Sequence, residues 1–192
     1  MNLDRNQALA LLHRHVTSEH IIPHSYAVEA VMRKLAQRFA PEEEALWAAT
    51  GLLHDLDNNL VDWQRDPSLH GPRTGELLRE EGFGNEEMYQ AILAHNKATG
   101  AKCKTLLDRC LYAADPITGF INAIALVYPD KNVNSVKVKS IVKRMKETRF
   151  AAGADRDAMA SISSLMPFEE FAELALGAMQ EISEQLGFGQ PA

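Results

Sequence analysis

Cysteine is scarce in this chain. Only Cys103 and Cys110 occur, too few for a disulfide framework, and their spacing matches no zinc-binding pattern. Cys110 reads as core and Cys103 as incidental. Aromatic residues make up 7% of the sequence, and the Val/Thr/Tyr runs bounded by tight turns that announce β-sheets are missing. No apolar stretch approaches bilayer-spanning length, and Met1-Asn2-Leu3-Asp4-Arg5 lacks the charged and apolar regions of a signal peptide. A cytoplasmic location is therefore expected. Positive charge is also in deficit: the formal net charge is -6, which argues against nucleic-acid or membrane-surface partners and leaves small anions to local basic patches.

What is present is an Ala- and Leu-rich sequence whose 46% hydrophobic content supports one substantial core over 192 residues. A single all-α domain, 1–192, is expected, with its core at about 20–128 and C-terminal helices at 134–186 packed on it. Asn2 is a candidate cap for a first helix over 3–16, and Pro23 suits the first turn of a second running to Phe39. In that helix Ala27, Val28, Val31, Met32 and Leu35 recur at the helical period, and His24 lies one turn before Val28. The third, from Glu42 to about Leu56, is almost wholly apolar after its glutamates and should be buried. Residues 57–69 read as a loop. Helices are expected at 71–81, 85–95, 105–128, 134–148 and 168–186, and Pro116 makes the 105–128 segment either one kinked helix or two.

Four of the seven histidines stand where an apolar helix ends or where a polar residue is out of place: His24, His54, His70 and His95. Asp55 follows the apolar third helix, and Asp115 lies within another apolar stretch. Singly, His24 or His95 reads as a satisfied core histidine, His70 as a cap, and Asp115 before Pro116 as a helix start. Jointly these readings weaken. Four imidazoles and two buried carboxylates supply the nitrogen and oxygen donors that a divalent metal takes.

The order His24, then His54-Asp55 within GLLHDLD, then Asp115 within YAADPITG, resembles the signature of the HD-domain superfamily of metal-dependent phosphohydrolases. The segments LHGPRTGELL around His70 and AILAHNKATG around His95 are similar to those of small bacterial HDIG-type proteins, which include symmetrical dinucleoside tetraphosphate hydrolases. The resemblance spans about residues 20–128 and implies an HD-domain helical bundle. It implies His24, His54, Asp55 and Asp115 as ligands of one divalent ion (Fe, Mn, Ni, Zn, Co or Mg), with His70 and His95 for a second and Asp55 bridging. It also implies metal-activated water cleaving a phosphomonoester, phosphodiester or anhydride of a nucleotide-like small molecule.

Where many relatives carry a Lys three residues after the paired Asp, this chain has Asn58. Phosphate contact then falls to other cations, and Arg73 and Lys97, close to His70 and His95, are the candidates. Asp57 reads as a solvated loop residue, with an acid–base role as the alternative. The segment 131–149, with Lys131, Lys137, Lys139, Lys143, Arg144, Lys146 and Arg149 against Glu147 alone, reads as a solvated helix face or a basic lid. The competing functions are a di-iron oxygenase on the same scaffold and a non-catalytic signalling module with a structural metal.

Overall fold

A computed structural model describes residues 3–188, and among these it contains nine α-helices and no strand. They are α1 (Arg5–His15), α2 (Ile21–Phe39), α3 (Glu44–Leu53), α4 (Pro72–Glu80), α5 (Glu86–His95), α6 (Leu106–Leu126), α7 (Val138–Met145), α8 (Arg156–Ser161) and α9 (Phe168–Glu181). The all-α expectation is met. Asn2 lies outside the described residues; Asp4 caps α1 by accepting from the Asn6 amide. The expected helix over 134–148 is shorter at both ends, and α8 had no counterpart among the expectations.

Helix α2 is the centre of the packing, lying against α3, α6 and α9, while α5 packs on α6 and α4, and α8 on α6. Its core stripe (Val28, Val31, Met32, Leu35) is buried, as the periodicity required, and the apolar cluster it joins runs continuously from Ala8 to Met179. Among the buried charges, Glu29 accepts from Arg5 (2.6 and 2.9 Å) and Arg33 (2.8 Å), fastening α1 to α2. Pairing makes its burial tolerable.

Pro116 does not split α6, which runs unbroken from a Thr105–Asp108 capping box. The reason is where the proline sits. Tyr112, Asp115, Pro116 and Gly119 form an i, i+3, i+4, i+7 stripe facing an open cleft, so the Tyr112 carbonyl, deprived of its i+4 donor by the proline, lies beside solvent rather than core.

Contact between α2 and α3 is closest at Gly51. A Cβ there would stand 2.8 Å from the Val28 carbonyl oxygen and 3.0 Å from Met32 Cγ. Since Gly51 lies one turn before His54, it lets the two helices approach where the pair His54-Asp55 begins. Gly51→Ala is expected to destabilise the protein by about 1–3 kcal/mol through overpacking, read as a melting temperature lowered by several degrees; an unchanged value would show that the two backbones are not tightly apposed.

Candidate metal centre

The six residues singled out in the sequence converge at one place. His24 comes from the first turn of α2, His54 and Asp55 from the end of α3, His70 from the segment before α4, His95 from the last turn of α5, and Asp115 from mid-α6. His54 is fully buried and Asp55 and His95 nearly so, while His24, His70 and Asp115 are part-exposed. Asp55 stands in the middle. Its Oδ1 lies 3.1 Å from His70 Nε2, 3.3 Å from His54 Nε2 and 3.7 Å from His95 Nε2, and its Oδ2 lies 3.7 Å from His24 Nε2. Asp115 Oδ1 is 3.1 Å from His24 Nε2 and 3.6 Å from His54 Nε2.

Every imidazole presents the same edge inward because its other nitrogen is engaged outside the cluster. The Nδ1 of His54 is 2.8 Å from the Gly51 carbonyl, and that of His95 meets the Ile92 carbonyl. His70 Nδ1 is 2.6 Å from Asp57 Oδ1. His24 Nδ1 donates to Thr118 Oγ1 at 3.1 Å, whose own hydrogen goes to the Asp115 carbonyl. With Nδ1 as donor, each Nε2 is left as a lone pair aimed at the centre. That arrangement repels itself. The Nε2 atoms of His70 and His95 are 3.1 Å apart, and His54 Nε2 is buried with no hydrogen-bond partner. Protons or cations must lie between them.

The spacing suits cations. Metal–ligand bonds of about 2.1 Å set neighbouring donor atoms about 3.0 Å apart at a right angle and about 3.4 Å apart at the tetrahedral angle; the contacts above run from 3.1 to 3.7 Å. Two triads bring one donor atom from each residue within 4.8 Å of the others and could hold an ion, His24–His54–Asp115 and His54–Asp55–His95.

Asp57 is not the solvated loop residue expected from the sequence. It is fully buried, and its Oδ2 accepts from the amides of Gly71 (2.7 Å) and Thr74 (3.1 Å) while Oδ1 holds His70. One carboxylate thus caps the amide-rich start of α4 and fixes a metal-facing imidazole, work that its own helix leaves undone because Gly71 offers no side-chain cap. A positive φ at Gly71 (101°), with the Ile92 carbonyl 3.2 Å from where a Cβ would be, reserves that turn for glycine.

The cluster opens on a cleft with two arms. One, a 180 Å³ hollow, is lined by His70, His95, Asn96, Lys97, Tyr112 and Asp155; the other, a 480 Å³ groove, by His24, Gly119, Phe120, Ala151, Gly153 and Ala154, with Asp115, Pro116 and Asp155 common to both. The outer wall is the 146–155 turn. Arg156 holds it by donating to the carbonyls of Met145, Glu147, Phe150, Ala151 and Ala154, and Phe150 rests edge-on against Phe120 at 5.7 Å. Of the two cations proposed from the sequence, Lys97 lines the cleft, where it pairs with Asp155 at 2.7 Å. Arg73 does not. Its guanidinium is turned along α4 to Glu76 (2.8 Å) and Glu80 (3.2 Å). The basic 131–149 segment contributes no cleft-lining residue; Lys137, Lys139 and Lys143 are exposed, and Arg144 lies over the Phe150 ring. Asn58 also stands apart from the lining.

An all-α scaffold carrying a converged histidine–aspartate centre defines the class: a helical protein with a candidate divalent-metal centre beside a cleft. The HD domain model matches residues 21–118, just over half of the chain, and the chain belongs to that family. Comparison with curated proteins and with solved structures finds no match.

Without a cation, protons fill the centre. Burial acts to lower the imidazolium pKa of His54, but the Asp55 and Asp115 carboxylates outweigh it and raise the value to about 9; for His70 burial is likewise outweighed, by Asp55 and Asp57, giving about 10. His95, desolvated beside two other imidazoles, falls to about 4 and stays neutral. Asp55 and Asp115, despite burial, are held well below the carboxylate range by the surrounding histidines. A metal must therefore displace the protons of His54 and His70. Calorimetric titration near pH 7.5, in buffers of different ionisation enthalpy, should read release of about two protons, with affinity climbing as pH rises toward 9–10; proton-neutral, pH-independent binding would place the metal elsewhere. Asp57→Ala should weaken metal affinity by roughly 10–100-fold, whereas Asp57→Asn, keeping an acceptor, should lose less.

Proposed function

We propose that the protein is a metal-dependent phosphohydrolase acting on a nucleotide-like small molecule, cleaving a phosphomonoester, phosphodiester or anhydride. The observation that carries this reading is the four outward-anchored imidazoles whose Nε2 atoms surround Asp55 at the floor of an open cleft. A purely structural metal would be enclosed by its ligands, whereas here His24, His70 and Asp115 are part-exposed to the cleft, leaving room for water and substrate. On this reading His24, His54, Asp55 and Asp115 hold one ion, His70 and His95 the second, and Asp55 bridges them. The resemblance to HDIG-type proteins supports the pair of ions. When bound, divalent cations supply Lewis acidity that activates water at neutral pH and offsets charge on the phosphoryl group.

The chain's own residues do the rest. The Nδ1–H anchors keep each imidazole in one tautomer, and Asp57 keeps His70 from turning away. Lys97, at the lip of the cleft, is the one lysine or arginine that lines it and would share its ammonium between Asp155 and a substrate phosphate; Arg73, outside the lining and tied to Glu76 and Glu80, is given no such role. The 480 Å³ groove falls within the roughly 300–1,000 Å³ of small-molecule sites and takes the organic part of the substrate. The chain acts as a single cytoplasmic domain. No helix among the described residues is long and apolar enough to cross a membrane.

A panel of phosphate esters, assayed with Mn²⁺, Fe²⁺, Ni²⁺, Co²⁺, Zn²⁺ and Mg²⁺ in turn, tests the reaction. His54→Ala and Asp55→Ala should lose both metal and hydrolysis. Gly119→Leu separates the cleft from the metals: open space lies where its side chain would project, so the fold and metal content should persist while kcat/KM drops at least about tenfold from lost substrate room. Full activity in Gly119→Leu, or strict oxygen dependence with no ester hydrolysed, would overturn the proposal.

A further inference from the structure

The cleft is poor in positive charge for a site that would take a phosphorylated molecule. Among the described residues that line its two arms, Lys97 is the one lysine or arginine, and its ammonium is already matched by the Asp155 carboxylate at 2.7 Å. Asp155 is also common to both arms, where the hollow that holds His70, His95 and Lys97 meets the more apolar groove. Its position is fixed twice: Oδ1 caps α8 by accepting from the Ala158 amide at 3.0 Å, and Oδ2 holds Lys97. The neighbouring wall of the groove, Ala151, Gly153 and Ala154, brings no charge, and its carbonyls are drawn back by Arg156.

We infer that Asp155 restricts the substrate to one bearing a single phosphate. The inference rests on the phosphohydrolase reading and narrows its substrate class. A phosphoryl group over the metal centre has the cations and can be approached by Lys97. A second phosphate, one bridge further along either arm, meets no unpaired cation and a fixed carboxylate, and like charges at such range repel. The remainder of the molecule is then uncharged and packs in the apolar groove against Phe120. The class is a phosphomonoester of an uncharged, partly apolar alcohol such as a nucleoside; di-, tri- and tetraphosphate chains are disfavoured.

Binding reads this without turnover. Calorimetry of the Mn²⁺-saturated protein, at fixed free Mn²⁺, compares methylphosphonate with methylenediphosphonate. The wild-type protein should favour the single phosphonate. Asp155→Asn keeps an acceptor for the Ala158 amide, removes the charge and frees Lys97, so both ligands should bind more tightly and the ratio should shift toward the diphosphonate roughly tenfold. A wild-type preference for the diphosphonate, or an Asp155→Asn variant that weakens both ligands alike, would overturn the inference. The two readings fail differently. A protein that binds in the expected order but hydrolyses no ester contradicts the hydrolase and not the selectivity; one that hydrolyses nucleoside mono- and triphosphates with equal kcat/KM contradicts the selectivity alone.

Discussion

The mutual repulsion of four imidazole lone pairs around one buried carboxylate is the constraint on which the rest of this protein depends. His54 Nε2 has no partner, and His70 and His95 bring their Nε2 atoms to 3.1 Å. A protein interior tolerates such a cluster only if positive charge resides within it. The fold is organised to keep it in place: the α3 backbone at Gly51, a turn before His54, lies against the Val28 carbonyl of α2, and α6 passes across with Asp115 and Thr118 on adjoining turns. Five separate chain segments supply the six side chains. None could rearrange alone without losing its Nδ1 anchor or its core packing.

Much of this was legible in the sequence because the signals were local. The helical period placed the α2 core stripe, and the apolar run of α3 ending in His54-Asp55 marked a polar pair emerging from core. The resemblance supplied the grouping of the six, which spacing alone did not. What the sequence hid depends on tertiary partners. Asp57 looked like a loop carboxylate because nothing nearby in sequence needs it; its burial comes from the Gly71 and Thr74 amides and His70, brought back by the intervening turn. One signal was available, since α4 begins Gly71-Pro72 with no capping side chain, which leaves amides requiring an acceptor from elsewhere. Proximity in sequence misled for Arg73: it lies three residues from His70, yet on a helix Glu76 and Glu80 are within its reach and the metal is not. The 146–155 turn and α8 were missed because Arg156, bound to five carbonyls, shapes them without any periodic pattern.

Two levels of design are therefore separable. On the proposed reading, histidines and aspartates at the cleft floor would hold the cation, while the charge of the lip, Lys97 against Asp155, would select the anions that join it. All six residues of the floor lie within the 21–118 span of the HD domain family to which the chain belongs. The lip pairs Lys97, inside the matched 21–118 span, with Asp155, beyond it, so it draws on this chain's C-terminal third as well as on the matched core.

Whether cations replace protons between the four Nε2 atoms is decided by a crystal structure of protein purified without chelator, with anomalous scattering recorded at the edge of each metal found by elemental analysis. The account expects anomalous peaks within bonding distance of Asp55 and of the histidine Nε2 atoms. A metal-free centre in protein that nonetheless hydrolyses its substrate, or anomalous peaks remote from Asp55, would contradict it.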